Sequence, residues 1–389
     1  MYEVVYFCVT CTQENISKCT HVHMYMCDSD CCVVIMYCMK TLTVAFIVKN
    51  EEKVLERALK CLTFADEIVV VDTGSADSTV EIARRFTDNV YTAEWHDDFS
   101  EARNVAFSKA TMQYVMWMDA DDIVTASNAE KISEWKQSEE HPDTVMARYC
   151  TSFRGNVPSF YFFRERIFVN DGRAVWVNRV HEVVVPFGQV QYCDFEIWHK
   201  PIGSHGSRNL DIYTRAMEGG EVFDARNTYY YARELFYNRK YRQSATWLKK
   251  FLRMQSWYAD RLQATIMLAD CYVLMKKHKL ALDTLVSTLA VVPLSEACYK
   301  IGNIYVEKKQ YSSALFWLEC ATRCVCLEGG FVNTDYSDFL PYMQLCVCHY
   351  HLGNVKKSYS YFRRAEKIYP HHPSVVYNRQ FFANLKNKV

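Results

Sequence analysis

Apolar and polar positions change rhythm twice along this chain. From Thr41, short continuous apolar runs alternate with amphipathic stretches. Leu42–Val48 (LTVAFIV) is unbroken and rich in branched residues, which predicts a strand buried on both faces of a parallel sheet. Asn50 is placed to cap a following helix, with Glu51 and Glu52 in its first turn, and that helix is expected to run to about Leu62. Glu67–Val71 predicts a second strand, ending in Asp72-Thr73-Gly74-Ser75, and Ser75–Phe86 a second helix with Ser75 as its cap. Val90–Ala93 reads as a short third strand, Ser100–Ala110 as a helix, and Tyr114–Met118 as a fourth strand ending in Asp119-Ala120-Asp121-Asp122. Strands and helices in alternation, with polar residues at the carboxyl ends of the strands, predict an open, doubly wound α/β sheet. Such sheets bind ligands at those ends.

Beyond about Tyr149 the pattern loosens into short β-type runs at Thr151–Phe153, Phe160–Phe163, Arg166–Val169, Val183–Val185 and Phe195–Trp198. A mixed sheet completing the same domain accounts for them. After about Arg226 no strand signal remains, and similar helical units recur: Tyr241-Arg-Gln-Ser-Ala245, His278-Lys-Leu-Ala281 and Tyr311-Ser-Ser-Ala314. Their alanines lie 36 and 33 residues apart, close to the 34-residue tetratricopeptide period. A fourth unit, Met343–Tyr369, runs into Pro370-His-His-Pro373. A solenoid of helix pairs explains this period, whereas an irregular bundle does not require it. The expected organisation is a Cys-rich leader over 1–38, an α/β domain over 39–225 and a helical repeat domain over 226–389.

Composition sharpens this division. Half of the 389 residues are apolar and 15% aromatic, which excludes a mainly disordered chain. The longest apolar run near the start, Cys32–Met39, is too short to span a bilayer, and no transmembrane segment is expected. The formal net charge of zero conceals 21 basic against 34 acidic residues before position 226, and 24 against 11 after it. Two surfaces that complement each other within the molecule or across a dimer account for this asymmetry, as does an anionic partner for the second half. Seven of the 17 cysteines fall in the first 38 residues, and the others lie singly in apolar stretches, a pattern that suits a reducing, cytoplasmic setting. The leader contains Cys8-x-x-Cys11 and Cys19-Thr-His21-Val-His23, but its ligand spacing fits no common zinc module. Residues 1–38 are expected to be a dispensable or misassigned extension.

The candidate chemistry sits at the strand ends. Asp119 and Asp121, two positions apart beyond an apolar strand, can point into one crevice and offer hard oxygen ligands to Mg2+ or Mn2+, which in turn clamps a diphosphate. Asp72 ends the second strand, where its carboxylate can accept the imide N–H of uracil or a ribose hydroxyl. It can equally hold the start of the second helix.

In order and spacing, four segments of residues 41–125 resemble the donor half of an inverting family 2 glycosyltransferase with the GT-A (Rossmann-like nucleotide-diphospho-sugar transferase) fold. They are Thr43–Glu52, Ile68–Asp77, Phe99-Ser-Glu-Ala-Arg103-Asn104 and Trp117-Met-Asp119-Ala-Asp121. The resemblance continues through Arg166-Ile-Phe168, Arg179-Val-His181-Glu182 and Trp198-His199. It is nearest to the subgroup with C-terminal tetratricopeptide-like repeats that includes the sublancin S-glycosyltransferase. It implies that Ile47, Lys49, Glu51 and Asp72 surround the nucleoside, that Arg103 lies near the diphosphate, and that Asp119 and Asp121 bind the metal and diphosphate. Many members have two consecutive aspartates where this chain has Asp72-Thr73, so which side chain meets the base stays open.

An inverting transfer needs a carboxylate within reach of the acceptor's nucleophile. Glu182 is the candidate base, the other reading being a carboxylate that holds Arg166 or Arg179. Asp171 and Asp194 stand next in line. His199 is a candidate third metal ligand, or else a packed histidine, and Arg103 has a salt bridge as its alternative role. The reading is a metal-dependent transferase that takes a sugar from a nucleotide-sugar donor, a UDP-sugar, to a peptide, protein, glycan or lipid-linked acceptor, with a homodimer formed through the helical repeats. The alternatives are a non-catalytic tetratricopeptide scaffold with an inactive transferase domain and a nucleic-acid-directed glycosyltransferase. The second half lacks a recognisable nucleic-acid motif, so a nucleic-acid partner is not expected.

Overall fold

The computed structural model describes residues 39–203, 206–324 and 330–386, together with three two-residue strands at Tyr6–Phe7, His23–Met24 and Val34–Ile35 that pair with one another. The rest of residues 1–38, and with it the expected dispensability of the leader, lies outside the described residues. The chain groups into two compact units, residues 1–149 with 164–204, and residues 150–163 with 205–389.

The main sheet has the strands, in chain order, β1 (Leu42–Val48), β2 (Glu67–Asp72), β3 (Val90–Thr92), β4 (Tyr114–Met118), β5 (Asp122–Ile123), β6 (Thr144–Arg154), β7 (Val157–Val169) and β8 (Val190–His199), all within the first unit except residues 150–163 of β6, β7 and their turn. Their spatial order is β3-β2-β1-β4-β7-β6-β8-β5. β3, β2, β1 and β4 run parallel, with Val48 opposite Asp72 and Phe46 opposite Met118. That register brings the carboxyl ends of β1, β2 and β4 to one sheet edge. β7 lies antiparallel to β4, with Phe168 opposite Val115. β8 lies antiparallel to β5, with His199 opposite Asp122. β1, β2 and β4 are largely buried because helices cover them, as their unbroken apolar runs require. On one face Val69, Val71, Phe107, Val115, Trp117 and Trp176 share a core.

Among the described residues the helices of the first unit are α1 (Leu55–Lys60), α2 (Thr79–Arg84), α3 (Phe99–Ser108) and α4 (Ala126–Gln137). The first two are shorter than the sequence pattern suggests, and neither expected cap acts as one. Asn50 adopts φ +56, its side chain accepts from Ala76 N at 2.8 Å, and its own N–H donates to Ser75 Oγ at 2.9 Å. Asn50 and Ser75 therefore spend their polar atoms stitching two strand-end loops together, leaving the helices to begin four or five residues later. α4 carries its apolar face on Ala129, Ile132 and Trp135 and was not anticipated. The short runs at 151–153, 160–163 and 166–169 are parts of two long strands, β6 and β7. Val183–Val185 forms no strand, only one bridge from Val183 to Val177.

The second unit is helical: α5 (Arg208–Glu218), four helix pairs and α14 (Pro373–Lys386). The pairs are α6 (Ala225–Tyr237) with α7 (Tyr241–Phe251), α8 (Tyr258–Leu274) with α9 (His278–Leu289), α10 (Ser295–Glu307) with α11 (Tyr311–Ala321), and α12 (Phe339–His351) with α13 (Val355–Ile368). The fourth residue of each second helix is Ser244, Ala281, Ala314 or Ser358, every one fully buried. Twelve residues earlier, on the first helix, stand Ala232, Ala269, Gly302 and Cys346. Small residues at both places let the two helices approach; a Cβ on Gly302 would come within 2.8 Å of Leu318 Cγ. Ser244 and Ser358 keep the register and satisfy their hydroxyls on the carbonyls of Ala232 and Cys346, each at 2.8 Å. The first repeat is thus marked by Ser244 rather than by the expected Ala245.

The turn between the helices repeats as well. Arg239, Lys276, Lys309 and Gly353, each two residues before its second helix, all have φ between +58 and +78. Before α12 the chain makes an excursion containing a two-residue strand, β9 (Val332–Asn333), which pairs antiparallel with Tyr161 and Phe160 of β7. The expectation of no strand beyond Arg226 fails at this point. Arg154 forks onto the same excursion, donating to Asp335 at 2.7 Å and to Asp338 at 2.6 and 3.0 Å. Among the described residues no helix is long and apolar enough to cross a membrane.

Candidate functional site

β4 ends in a tight acidic turn. Asp119, Asp121, Asp122 and His199 each bring a ligand atom within 4.8 Å of one another. The three carboxylates come from the bend between β4 and β5, and the histidine comes from the β8 register that sets it opposite Asp122. His199 Nδ1 lies 3.2 Å from Asp121 Oδ1 and 3.2 Å from Asp122 Oδ1. Burial works against charge on that imidazole, but its hydrogen bonds to Asp121 and Asp122 outweigh this and push its pKa up to about 10.

The acidic residues are not equivalent. Asp122 is fully buried and its oxygens are committed. It accepts from Tyr149 Oη at 3.0 Å, from Arg166 Nη1 at 3.2 Å and from Asp119 N at 3.2 Å. It shapes the turn. Asp119 and Asp121 retain partial exposure, so an oxygen of each can reach a cation entering the crevice. Hard carboxylate oxygens with one imidazole suit Mn2+ or Mg2+. The expected set of Asp119, Asp121 and His199 therefore fits a divalent ion, with Asp122 as the buttress that sequence reasoning passed over. Its only sequence signal is its place directly after Asp121.

Arg103, on α3, ties this turn to Glu182. Its Nη2 donates to Asp119 Oδ1 at 2.6 Å and its Nε to Glu182 Oε1 at 2.6 Å. The guanidinium is buried 4.7 Å from the ring centre of Trp117 and 4.9 Å from that of Trp176. Burial opposes charge on Arg103, but Asp119 and Glu182 outweigh it and raise its pKa further. In return Asp119, which burial alone would push up, is held down at about 2 by Arg103. The alternative reading of Arg103 as an ion-pairing residue is thus realised, whereas the partners expected for Glu182 are not those found. Arg166 pairs with Asp122, and Arg179 lies 3.8 Å from Asp98.

α3 also builds the loop that carries Glu182. Phe99 N donates to the Arg179 carbonyl at 2.8 Å, and Asn104 exchanges two hydrogen bonds with the Trp176 backbone, at 2.8 and 3.0 Å. Within the loop Asn178 has φ +76 and His181 φ +54, left-handed values that non-glycine residues hold only when their surroundings impose them.

The residues proposed for the nucleoside reach the same sheet edge. Ile47 is half-buried near the end of β1, Lys49 follows it exposed, and Glu51 N donates to Thr79 Oγ1 at 2.8 Å. Asp72 is buried, and its carboxylate accepts from Gly74 N at 3.0 Å and from Ser75 N at 3.1 Å. Its loop-holding reading is therefore present in the structure. Asp171 and Asp194 sit instead in ion pairs with Arg173 and Lys131 at the surface.

The sequence model of the family Glycosyl transferase family 2 matches residues 43–175. The chain is 27% identical over 260 residues to the SPbeta prophage-derived glycosyltransferase SunS of Bacillus subtilis, a match spanning 61% of this chain and 60% of that protein. It is 32% identical over 148 residues to a TPR repeat-containing protein of Synechococcus elongatus, covering 38% of this chain and 36% of the relative. Among solved structures, YrrB, a TPR protein with an unusual peptide-binding site, overlaps 44% of this chain and 82% of its own at 19% identity and a TM-score of 0.34.

Proposed function

We propose that this chain, which carries a glycosyl transferase family 2 domain over residues 43–175, transfers a sugar from a nucleotide-sugar donor to an acceptor nucleophile with inversion at the anomeric carbon. The observation that carries this reading is the convergence of Asp119, Asp121 and His199 at the carboxyl edge of a parallel sheet, with a carboxylate, Glu182, joined to them through one arginine.

In this reading Asp119, Asp121 and His199 hold Mn2+ or Mg2+, which when bound neutralises the departing diphosphate. Ile47, Lys49, Glu51 and Asp72 surround a nucleoside, and Asp72 keeps its loop folded while offering lone pairs beyond those its turn uses. The donor of choice is a UDP-sugar. Arg103 provides a fixed cation beside the diphosphate. Glu182 takes the acceptor's proton, and because Oε1 is engaged by Arg103 the proton goes to Oε2. The acceptor is a hydroxyl or thiol of a peptide, protein, glycan or lipid-linked saccharide. The helical pairs form an interaction surface for that acceptor or for a second copy of the chain. The free thiols of the described cysteines suit a cytoplasmic setting.

The test is hydrolysis of a panel of nucleotide-sugars by the full chain with Mn2+ and again with EDTA. Cleavage of one donor class that EDTA suppresses is the expected result. No cleavage of any donor, together with no metal-dependent nucleotide binding, would favour the scaffold reading.

A further inference from the structure

In the third helix pair two thiols face each other. Cys298, in the first turn of α10, and Cys324, just beyond α11, have their sulfurs 3.8 Å apart. Both are free thiols, Cys298 almost fully buried and Cys324 half-buried. The antiparallel pairing of α10 and α11 brings the start of one helix to the end of the other. Ser295 Oγ fixes the meeting by donating to the Cys324 carbonyl at 3.0 Å. Cys320 is a third thiol on α11. It lies one helical turn from Cys324, where Cβ atoms stand about 5–6 Å apart, beyond the roughly 3.8 Å a disulfide needs.

We propose that Cys298 and Cys324 are an oxidative modification site that closes to a disulfide with a peroxide as the oxidant. The more accessible Cys324 thiolate attacks one peroxide oxygen, the O–O bond breaks, and Cys324 becomes a sulfenic acid as hydroxide leaves. The hydroxide takes up the proton that the Cys324 thiol lost and is the first water. Cys298 sulfur then attacks the Cys324 sulfur, the S–O bond breaks, and the sulfenic oxygen leaves with the Cys298 proton as the second water. Two thiols and one hydrogen peroxide give one disulfide and two waters. The sulfurs need to move less than 2 Å to reach bonding distance.

Closure would act on the excursion that follows. The chain leaving Cys324 leads to β9, whose far end is already held by Arg154 on Asp335 and Asp338. A covalent tie at Cys324 anchors the near end as well.

The experiment treats the reduced full chain with a small excess of hydrogen peroxide and maps its peptides by mass spectrometry. A Cys298–Cys324 linkage, two hydrogens lighter than the reduced peptides and reversed by dithiothreitol, is expected. The melting temperature should rise by a few degrees, as cross-linking a loop of this length implies, and amide exchange over residues 332–338 should slow. In Cys298→Ser the reaction should stop at a Cys324 sulfenic acid that dimedone traps. A linkage through Cys320, or peroxide treatment that leaves Cys298 and Cys324 unlinked while oxidising Cys324 to the sulfinic acid, would overturn the proposal.

Discussion

Arg103 Nε and Glu182 Oε1 meet at 2.6 Å, and the same guanidinium reaches Asp119 Oδ1 at 2.6 Å. One buried cation thereby couples the candidate base to a candidate metal ligand, with two indole rings closing over it. If Glu182 is the base, Glu182→Gln should leave nucleotide affinity almost unchanged, because the residues proposed to surround the nucleoside lie at the ends of β1 and β2 and in the loop after β1. The transfer rate should fall by about 10²–10⁴-fold. If Glu182 serves only to anchor Arg103, the same change should cost about 1–3 kcal/mol of stability and leave most of the activity in the folded protein. Melting temperature, UDP affinity and transfer rate on this one variant separate the two roles.

Arg103→Met should be among the most damaging single changes in this unit. It leaves Asp119 and Glu182 without their shared cation, and breaking such a buried pair from one side costs about 3–5 kcal/mol. Adding Glu182→Gln to Arg103→Met should recover part of the loss, since one unpaired charge then disappears. Denaturant unfolding of the two singles and the double would show this as non-additivity. Simple additivity would mean that the ion pair contributes little.

Asp121→Asn tests the metal site with less structural risk. Asp121 retains partial exposure, and its neighbour His199 keeps Asp122 as a partner. The folded state should therefore tolerate the change, while UDP binding in the presence of Mn2+ should fall by at least about tenfold as a charged ligand is lost. Calorimetric titration with and without Mn2+ reads this out. Equal affinity in the variant and the parent would remove Asp121 from the metal site.

The sequence is most legible where burial is uniform. β1, β2 and β4 stand at or within one residue of their apolar runs, because a parallel strand covered on both faces leaves no polar position to confuse the pattern. Beyond Tyr149 one strand is read as two runs, Phe160–Phe163 and Arg166–Val169, because Arg164-Glu165 interrupts the apolar pattern. In the structure Arg166 is fully buried, 3.6 Å from the centre of the Trp117 ring and paired with Asp122. Glu165 is buried as well and Arg164 donates to the Glu182 carbonyl, so the interruption is the inner wall of the site seen in one dimension. Likewise Asn50 and Ser75 have the residue types of helix caps, but they act across 25 residues on each other's loops, a contact no local window contains. The Arg103–Glu182 pair, 79 residues apart, is invisible for the same reason.

A prediction for the helical unit concerns Lys300. Its Nζ lies 2.8 Å from both oxygens of Asp270 and 3.5 Å from Glu296 Oε1. Burial raises the pKa of Glu296 above 4.5 even with Lys300 present. Lys300→Met should destabilise the protein by about 2–3 kcal/mol near neutral pH, as a charge-assisted contact to two partly buried carboxylates is lost. The sign of the pH dependence follows from Glu296. A folded carboxyl that binds its proton more tightly than the unfolded one makes stability fall as pH rises from the unfolded value of 4.5 through the folded value. Without the lysine that window moves upward, so the deficit of the variant should shrink between pH 7.5 and pH 5. Urea unfolding at the two pH values measures it, and a deficit that grows on acidification would contradict the assignment.

The turns between paired helices allow a comparison in both directions. Lys309 and Gly353 occupy the same place in successive repeats, two residues before α11 and α13, with φ +58 and +78. A left-handed backbone costs a residue with a Cβ about 1 kcal/mol relative to glycine, although glycine gives back part of this through the greater freedom of its unfolded chain. Lys309→Gly should therefore stabilise the protein modestly, by about 0.5–1 kcal/mol. Gly353→Ala should destabilise it by about 1 kcal/mol or slightly more, since alanine brings strain without any compensating contact: no atom lies within 4 Å of the position its Cβ would take. That open space matters, because it excludes a steric clash and leaves backbone conformation as the cause. Gly353→Asn then discriminates further, for asparagine tolerates the left-handed region better than alanine and should lose less. Thermal unfolding of the three variants should rank them Lys309→Gly above the parent, and Gly353→Asn above Gly353→Ala below it. A Lys309→Gly variant less stable than the parent would show that the lysine side chain contributes more than its backbone costs.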